Sequence, residues 1–129
     1  MYRNTFGFLI NDNIQVDIWN RRIIKFTTLG AGRSYHLSVS ITVIKEQSMT
    51  LLAYLLLNGR NGFVKRDEIL NHVWDQKNLR SSSQILWAAL KELKSELVST
   101  GLDENFIRSE KGCFYSVNAK KIIELQFNK

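Results

Sequence analysis

Apolar and polar positions repeat along this chain with two different periods. Phe6-Gly7-Phe8-Leu9-Ile10, the polar Asn11-Asp12-Asn13, and Ile14-Gln15-Val16-Asp17-Ile18-Trp19 read as two strands around a turn, the second alternating with period two. After Asn20-Arg21-Arg22 a third strand is expected at Ile23 to Thr27. Gly30-Ala31-Gly32 then marks a loop before a fourth strand from Tyr35 to about Val43. That glycine pair is read as a turn and not a phosphate cradle, because position 35 is Tyr where the dinucleotide-binding spacing asks for Gly.

From Lys45 the period lengthens to that of a helix. Met49, Leu52, Ala53 and Leu56 form a stripe, and Leu55 and Leu57 extend it nearly all round, which predicts a central helix over Lys45 to Leu57. Asn58-Gly59 and Asn61-Gly62 stop it, and Phe63-Val64 makes a short extended bridge. Ile69, Leu70, Val73 and Trp74 give a second helix one buried stripe, ending near Asp75, and Ser81, Ser82 and Ser83 offer N-cap oxygens for a third. On that third helix Leu86, Leu90, Leu93 and Leu97 fall within roughly 60° of one another. Gln84, Ala88, Lys91 and Ser95 point the opposite way, and Trp87 lies on the flank about 100° from the leucines. Its side chain either folds over a neighbouring element or joins the exposed face. Farther on, Phe106-Ile107 and Phe114-Tyr115-Ser116-Val117 pair as a hairpin around Glu110-Lys111-Gly112. The apolar set Ile122, Ile123, Leu125 and Phe127 fits a strand or a short helix equally well.

A chain of 129 residues suffices for one domain with a real core, and 44% hydrophobic with 23% charged residues gives no case for global disorder. The whole is read as a single α+β domain: an N-terminal sheet over residues 1–44, three helices over 45–99, and a hairpin over 106–118. Eighteen Lys and Arg against 12 Asp and Glu leave a net charge of +6, which favours a polyanionic partner. Cys113 is the only cysteine, so no internal disulfide can form, and a reducing compartment, the cytoplasm, is expected. No apolar run approaches the ~18 residues of a transmembrane helix, so no membrane segment is expected.

The stretch from Val64 onward resembles the winged helix-turn-helix of the OmpR/PhoB family of bacterial transcription regulators. Val64-Lys65-Arg66-Asp67-Glu68-Ile69 is similar to that family's V-S-R-E-E-L block, Val73-Trp74 to its V-W pair, and Leu90-Lys91-Glu92-Leu93-Lys94-Ser95-Glu96-Leu97 to its I-x-x-L-R-x-x-L block. Ile107-Arg108-Ser109-Glu110-Lys111-Gly112-Cys113-Phe114-Tyr115 resembles the family's I-R-T-V-R-G-x-G-Y wing. The likeness covers about residues 37 to 118, closest in style to the ToxR- and CadC-like regulators that lack a receiver domain. It implies promoter binding in the cytoplasm, by a free protein or by the cytoplasmic part of a longer inner-membrane one. The first ~36 residues are too few for a phosphorylatable receiver, so phospho-aspartate control is not expected.

Three departures from the family pattern carry consequences. Lys65 stands where the family has an N-capping Ser and cannot accept a hydrogen bond, so the second helix is expected to fray at its start. Phe114 replaces the second glycine of the wing, which disfavours a positive-φ turn at that position. Glu92 stands where many members carry Arg. A carboxylate there is expected near DNA, repelling phosphate or accepting a hydrogen bond from a cytosine amino group.

On that likeness Ser83, Gln84, Trp87, Ala88 and Lys91 are expected to face base edges. Phosphates or a minor groove are met by Lys77 and Arg80 before the third helix, Lys94 on it, and Arg108, Ser109 and Lys111 in the wing. Catalysis has no constellation behind it. His36 and His72 have no ligand partner at metal spacing, Cys113 has no adjacent His, and Asp67-Glu68 suit the first turn of a helix. No cofactor or metal is expected. The competing reading is an interaction module of the same fold, with Ile85, Trp87 and Ala88 as a sticky patch for another regulator or for RNA polymerase, the latter through loop 76–82. A second copy of the chain is a further partner left open.

Overall fold

A computed structural model describes residues 4–128, and the architecture is α+β, with three α-helices and antiparallel sheets. The chain divides into two compact units, one of residues up to Ile44 together with those from Ala119, the other from Lys45 to Asn118.

The first unit is a five-stranded antiparallel sheet of β1 (Thr5–Ile10), β2 (Ile14–Asp17), β3 (Arg22–Ala31), β4 (Ser34–Val43) and β8 (Ile122–Gln126), in the order β4-β3-β2-β1-β8. Period-two alternation puts Phe8, Ile10, Ile14, Val16 and Ile23 on one face, where all are buried. Asn11 and Asp12 both take positive φ in the turn between β1 and β2, closed by the Asn13 N–H donating to the Ile10 carbonyl at 3.2 Å. The hairpin of β3 and β4 is longer than the pattern suggests. Gly30 pairs with Tyr35 and so belongs to β3, where a side chain would collide with Ser34 and Tyr35 of the partner strand, and the turn is made by Gly32 at φ 66°. The ambiguous tail becomes β8, antiparallel to β1, with the Thr5 hydroxyl donating to the Glu124 carboxylate.

The second unit holds α1 (Glu46–Gly59), β5 (Val64–Lys65), α2 (Arg66–Val73), a 3-10 turn (Asp75–Lys77), α3 (Ser83–Ser99), β6 (Ile107–Glu110) and β7 (Phe114–Val117). Helix α1 is central, packing on α2, α3 and β7, and Leu51, Leu52, Ala53, Leu55 and Leu56 are wholly buried. Its buried surface nearly encircles it, as its sequence predicts. Ile69, Val73 and Trp74 close the core from α2, and Leu86, Leu90, Leu93 and Leu97 from α3. No helix of the described residues is long and apolar enough to cross a membrane.

Lys65 makes no side-chain cap, as its chemistry requires, but the Arg66 N–H donates to the Cys113 carbonyl at 2.8 Å. The turn between β6 and β7, far along the chain, thus satisfies a backbone N–H at the uncapped start of α2. At α3 the capping oxygen belongs to Ser82, which accepts from the Ile85 N–H at 3.1 Å, while the Ser81 hydroxyl donates to Asp75 at 2.6 Å.

Glu96 of α3 is half-buried, and its Oε1 has no hydrogen-bond partner. Burial pushes its carboxyl above the ordinary 4.5, and the nearby Glu92 adds to the rise, while Ser48 and Lys45 oppose it. The folded state therefore holds a proton that the unfolded chain has released, so stability falls as pH rises from the ordinary value through the raised one and stays lower above it. Glu96→Gln is expected to stabilise the protein at pH 7, with the gain vanishing below about pH 4 where both states are protonated. Urea melts at the two pH values check this; equal gains at both would trace the effect to something other than the charge.

Candidate nucleic-acid interface

With its four leucines buried, α3 turns Ser83, Gln84, Trp87, Ala88, Lys91 and Ser95 to solvent. Trp87 is 65% exposed, which decides the question its sequence position leaves open: the indole stands on the free face of the helix. It is not idle, since Lys91 Nζ lies 5.1 Å from the ring centroid, within cation–π range and one helical turn away.

Beside this face runs the hairpin of β6 and β7. Its tip carries positive φ at Lys111 (54°) and Gly112 (67°), the sign pattern of a type I′ turn, closed by the Cys113 N–H donating to the Glu110 carbonyl at 3.2 Å. The left-handed residues thus precede Phe114, which sits in β7 and needs none of the missing glycine's freedom. The Tyr115 hydroxyl donates to the Gly112 carbonyl at 3.2 Å and ties the tip to the body, and burial pushes the Tyr115 phenol up.

Between helix and hairpin lies an open cleft of about 650 Å³, lined by Arg66, Ser83, Gln84, Trp87, Leu90, Lys91, Lys94, Ser109, Gly112 and Tyr115. Its charged lining is Arg66, Lys91 and Lys94, with no carboxylate. A second, polar cleft of about 550 Å³ shares Lys94 and adds Arg108, with Glu104 as its one acid. The structure therefore brings together Ser83, Gln84, Trp87, Lys91, Lys94 and Ser109 in one cleft and Arg108 in the next. Ala88 lies on the exposed face of α3 without lining either. Lys111 stands at the hairpin tip, and Lys77 and Arg80 stand exposed in the connection before α3, none of the three lining either of these two clefts.

Arg66 is the member that sequence reasoning passed over. The signal was its position as the first residue of α2, directly after β5, which is hydrogen-bonded to β7 and so sits next to the hairpin. Glu92, expected beside phosphate, is turned elsewhere: its carboxylate lies 2.7 Å from Lys45 Nζ. The roughly 100° step from Lys91 to Glu92 carries the acid off the Lys91 face and toward the start of α1.

His72, by contrast, has structural contacts. Its Nδ1 lies 2.9 Å from the Glu68 carbonyl and 3.4 Å from the Tyr54 hydroxyl, and its ring stacks on Tyr54 with centroids 5.3 Å apart. Cys113 is half-buried behind the hairpin tip. Among the described residues no three of His, Cys, Asp and Glu are grouped to hold a metal ion. What the first cleft offers is three cations, the hydroxyls of Ser83, Ser109 and Tyr115, the Gln84 amide and the exposed indole of Trp87, a set suited to a polyanion carrying flat heterocycles. The sequence matches no protein-family model and no curated protein.

Proposed function

We propose that this chain is a winged helix-turn-helix regulator of transcription that binds promoter DNA, with α3 in the major groove and the hairpin of β6 and β7 as the wing. The observation that carries this reading is the acid-free cationic cleft beside the exposed face of α3, since a helix fits the major groove and Lys and Arg meet the flanking phosphates. Gln84 suits an adenine edge, Lys91 a guanine, and Ala88 with Trp87 a thymine methyl. Lys94, Arg66 and Arg108 suit phosphates.

The second reading, a protein-docking module of the same fold, draws on one feature, the indole of Trp87 standing free beside Ala88. Selection of bound duplexes from a random pool, followed by a salt titration, separates the two. DNA recognition through about four to six phosphates gives enrichment of a motif and a log–log salt slope near −4 to −5. Failure to enrich any motif, with a flat salt response, supports docking on protein instead.

The wing cations are expected to act on backbone or groove potential and not on sequence. Arg108→Ala and Lys111→Ala should each weaken binding to the selected and a scrambled duplex by similar factors. Affinity unchanged at ~0.1 M salt in both variants removes the hairpin from the interface.

A further inference from the structure

The five-stranded sheet has a second apolar face, and this one is open. Cross-strand register places Ile123, Leu9, Gln15, Ile24 and Ile41 in one row across all five strands, opposite to the buried Phe8 and Val16. Rows beyond it along β3 and β4 pair Phe26 with Val39, Thr28 with Leu37 and Gly30 with Tyr35. An antiparallel sheet with one wet face normally shows polar residues there. On β4 the order is reversed: its serines, His36 and Thr42 share the face of the buried residues, while Tyr35, Leu37, Val39, Ile41 and Val43 occupy the open one at exposures between 48% and 72%.

We propose that this open face packs against the same face of a second copy of the chain, forming a two-fold sandwich of two sheets. Two features select that occupant. The first is charge: among the described residues the only formal charges on the strands of this face are Asp17 and Arg22, and they neutralise each other at 2.8 Å, so nothing described there attracts a nucleic acid or an acidic or basic partner. A neutral apolar surface is complementary to itself, as a two-fold contact requires. The second is area: the five exposed β4 side chains present on the order of 500 Å², at the upper end of what a monomer leaves open, and half-exposed Leu9, Ile24, Phe26 and Leu125 extend the patch toward the ~800 Å² per partner of a standard interface. The edge of β4 is also unguarded, with no Lys, Arg, Asp, Glu or Pro in its ten residues. Edge-to-edge pairing with a second copy is thus the rival geometry, and it leaves the apolar face uncovered.

The proposal is independent of the DNA reading, and its test contains no DNA. Sedimentation equilibrium of the full chain at up to about 100 μM should show a dimer, the population expected of an interface of standard size. Ile41→Lys, on the open face, should raise the dissociation constant on the order of 100-fold by burying an unpaired ammonium, whereas Ser40→Lys, the next residue along but on the other face, should leave it unchanged. Leu37→Lys is the second variant should Ile41→Lys fail a circular-dichroism check of folding. A wild-type chain that stays monomeric overturns the proposal, as does a dimer that survives both open-face substitutions, or one that Ser40→Lys disrupts as strongly as Ile41→Lys.

Discussion

Trp74→Ala is expected to lower stability by about 3–5 kcal/mol, a large part of the ~5–15 kcal/mol that holds a domain of this size folded. The indole is 4% exposed and sits where α2 gives way to the 3-10 turn. Its backbone is a junction as well: the Trp74 N–H donates to the Leu70 carbonyl, and its own carbonyl accepts from the N–H groups of both Lys77 and Leu79. Truncation leaves a cavity beneath that junction, and the connection toward α3 loses its anchor. A fall in melting midpoint on the order of 10–20 °C corresponds to such a loss. The other tryptophans supply an internal control, since Trp19 and Trp87 are 67% and 65% exposed. The variant's native emission should therefore come entirely from wet indoles and lie to the red of the wild type's. An unshifted midpoint with unshifted emission would place Trp74 at the surface, against its packing here.

That core was legible in the sequence because its signals are local. Ile69, Val73 and Trp74 declare their stripe within one helical turn and a half, and Ser82 lies within a hydrogen bond of the helix it caps. What stayed hidden depends on distant partners. The tail from Ile122 to Phe127 fits either period, and only pairing with β1, more than a hundred residues away, makes it a strand. Likewise the Arg66 N–H finds its acceptor at Cys113, a contact no local capping rule contains. In the sheet, a fourth strand from Tyr35 to about Val43 was legible but not which of its two faces would stay open, because pairing decides the face.

The candidate site divides the same way. Helical periodicity alone aligned Gln84, Ala88 and Lys91 opposite the leucines. Arg66 needed the β5–β7 pairing to bring it beside the hairpin, and Trp87 needed the structure to choose between its two settings. Glu92 was placed near phosphate by the family likeness, whereas its carboxylate lies beside Lys45, a residue 47 positions earlier that no pattern in α3 reveals.

Lys91→Ala is accordingly expected to cost roughly 1–3 kcal/mol in binding to a selected site, a loss of about 5- to 150-fold, and less on a scrambled duplex. Lys91 is fixed to the exposed face of α3 and held 5.1 Å from the Trp87 ring. That contact keeps the ammonium over the indole in the free protein and reduces the rotamer freedom lost when it meets a base edge. The two residues should therefore be coupled: Trp87→Ala costs affinity by itself, and the double variant loses less than the sum of the singles. Glu92→Gln is the matched control one position along. With its carboxylate paired to Lys45 and turned from the cleft, it acts on phosphate only at a range where salt screens it, so affinity should stay within about twofold on both duplexes at ~0.15 M salt. Titrations of the four variants on both DNAs decide the matter. Lys91→Ala with unchanged affinity takes the recognition helix out of the groove, and a Glu92→Gln gain as large as the Lys91→Ala loss shows that the acid faces DNA after all.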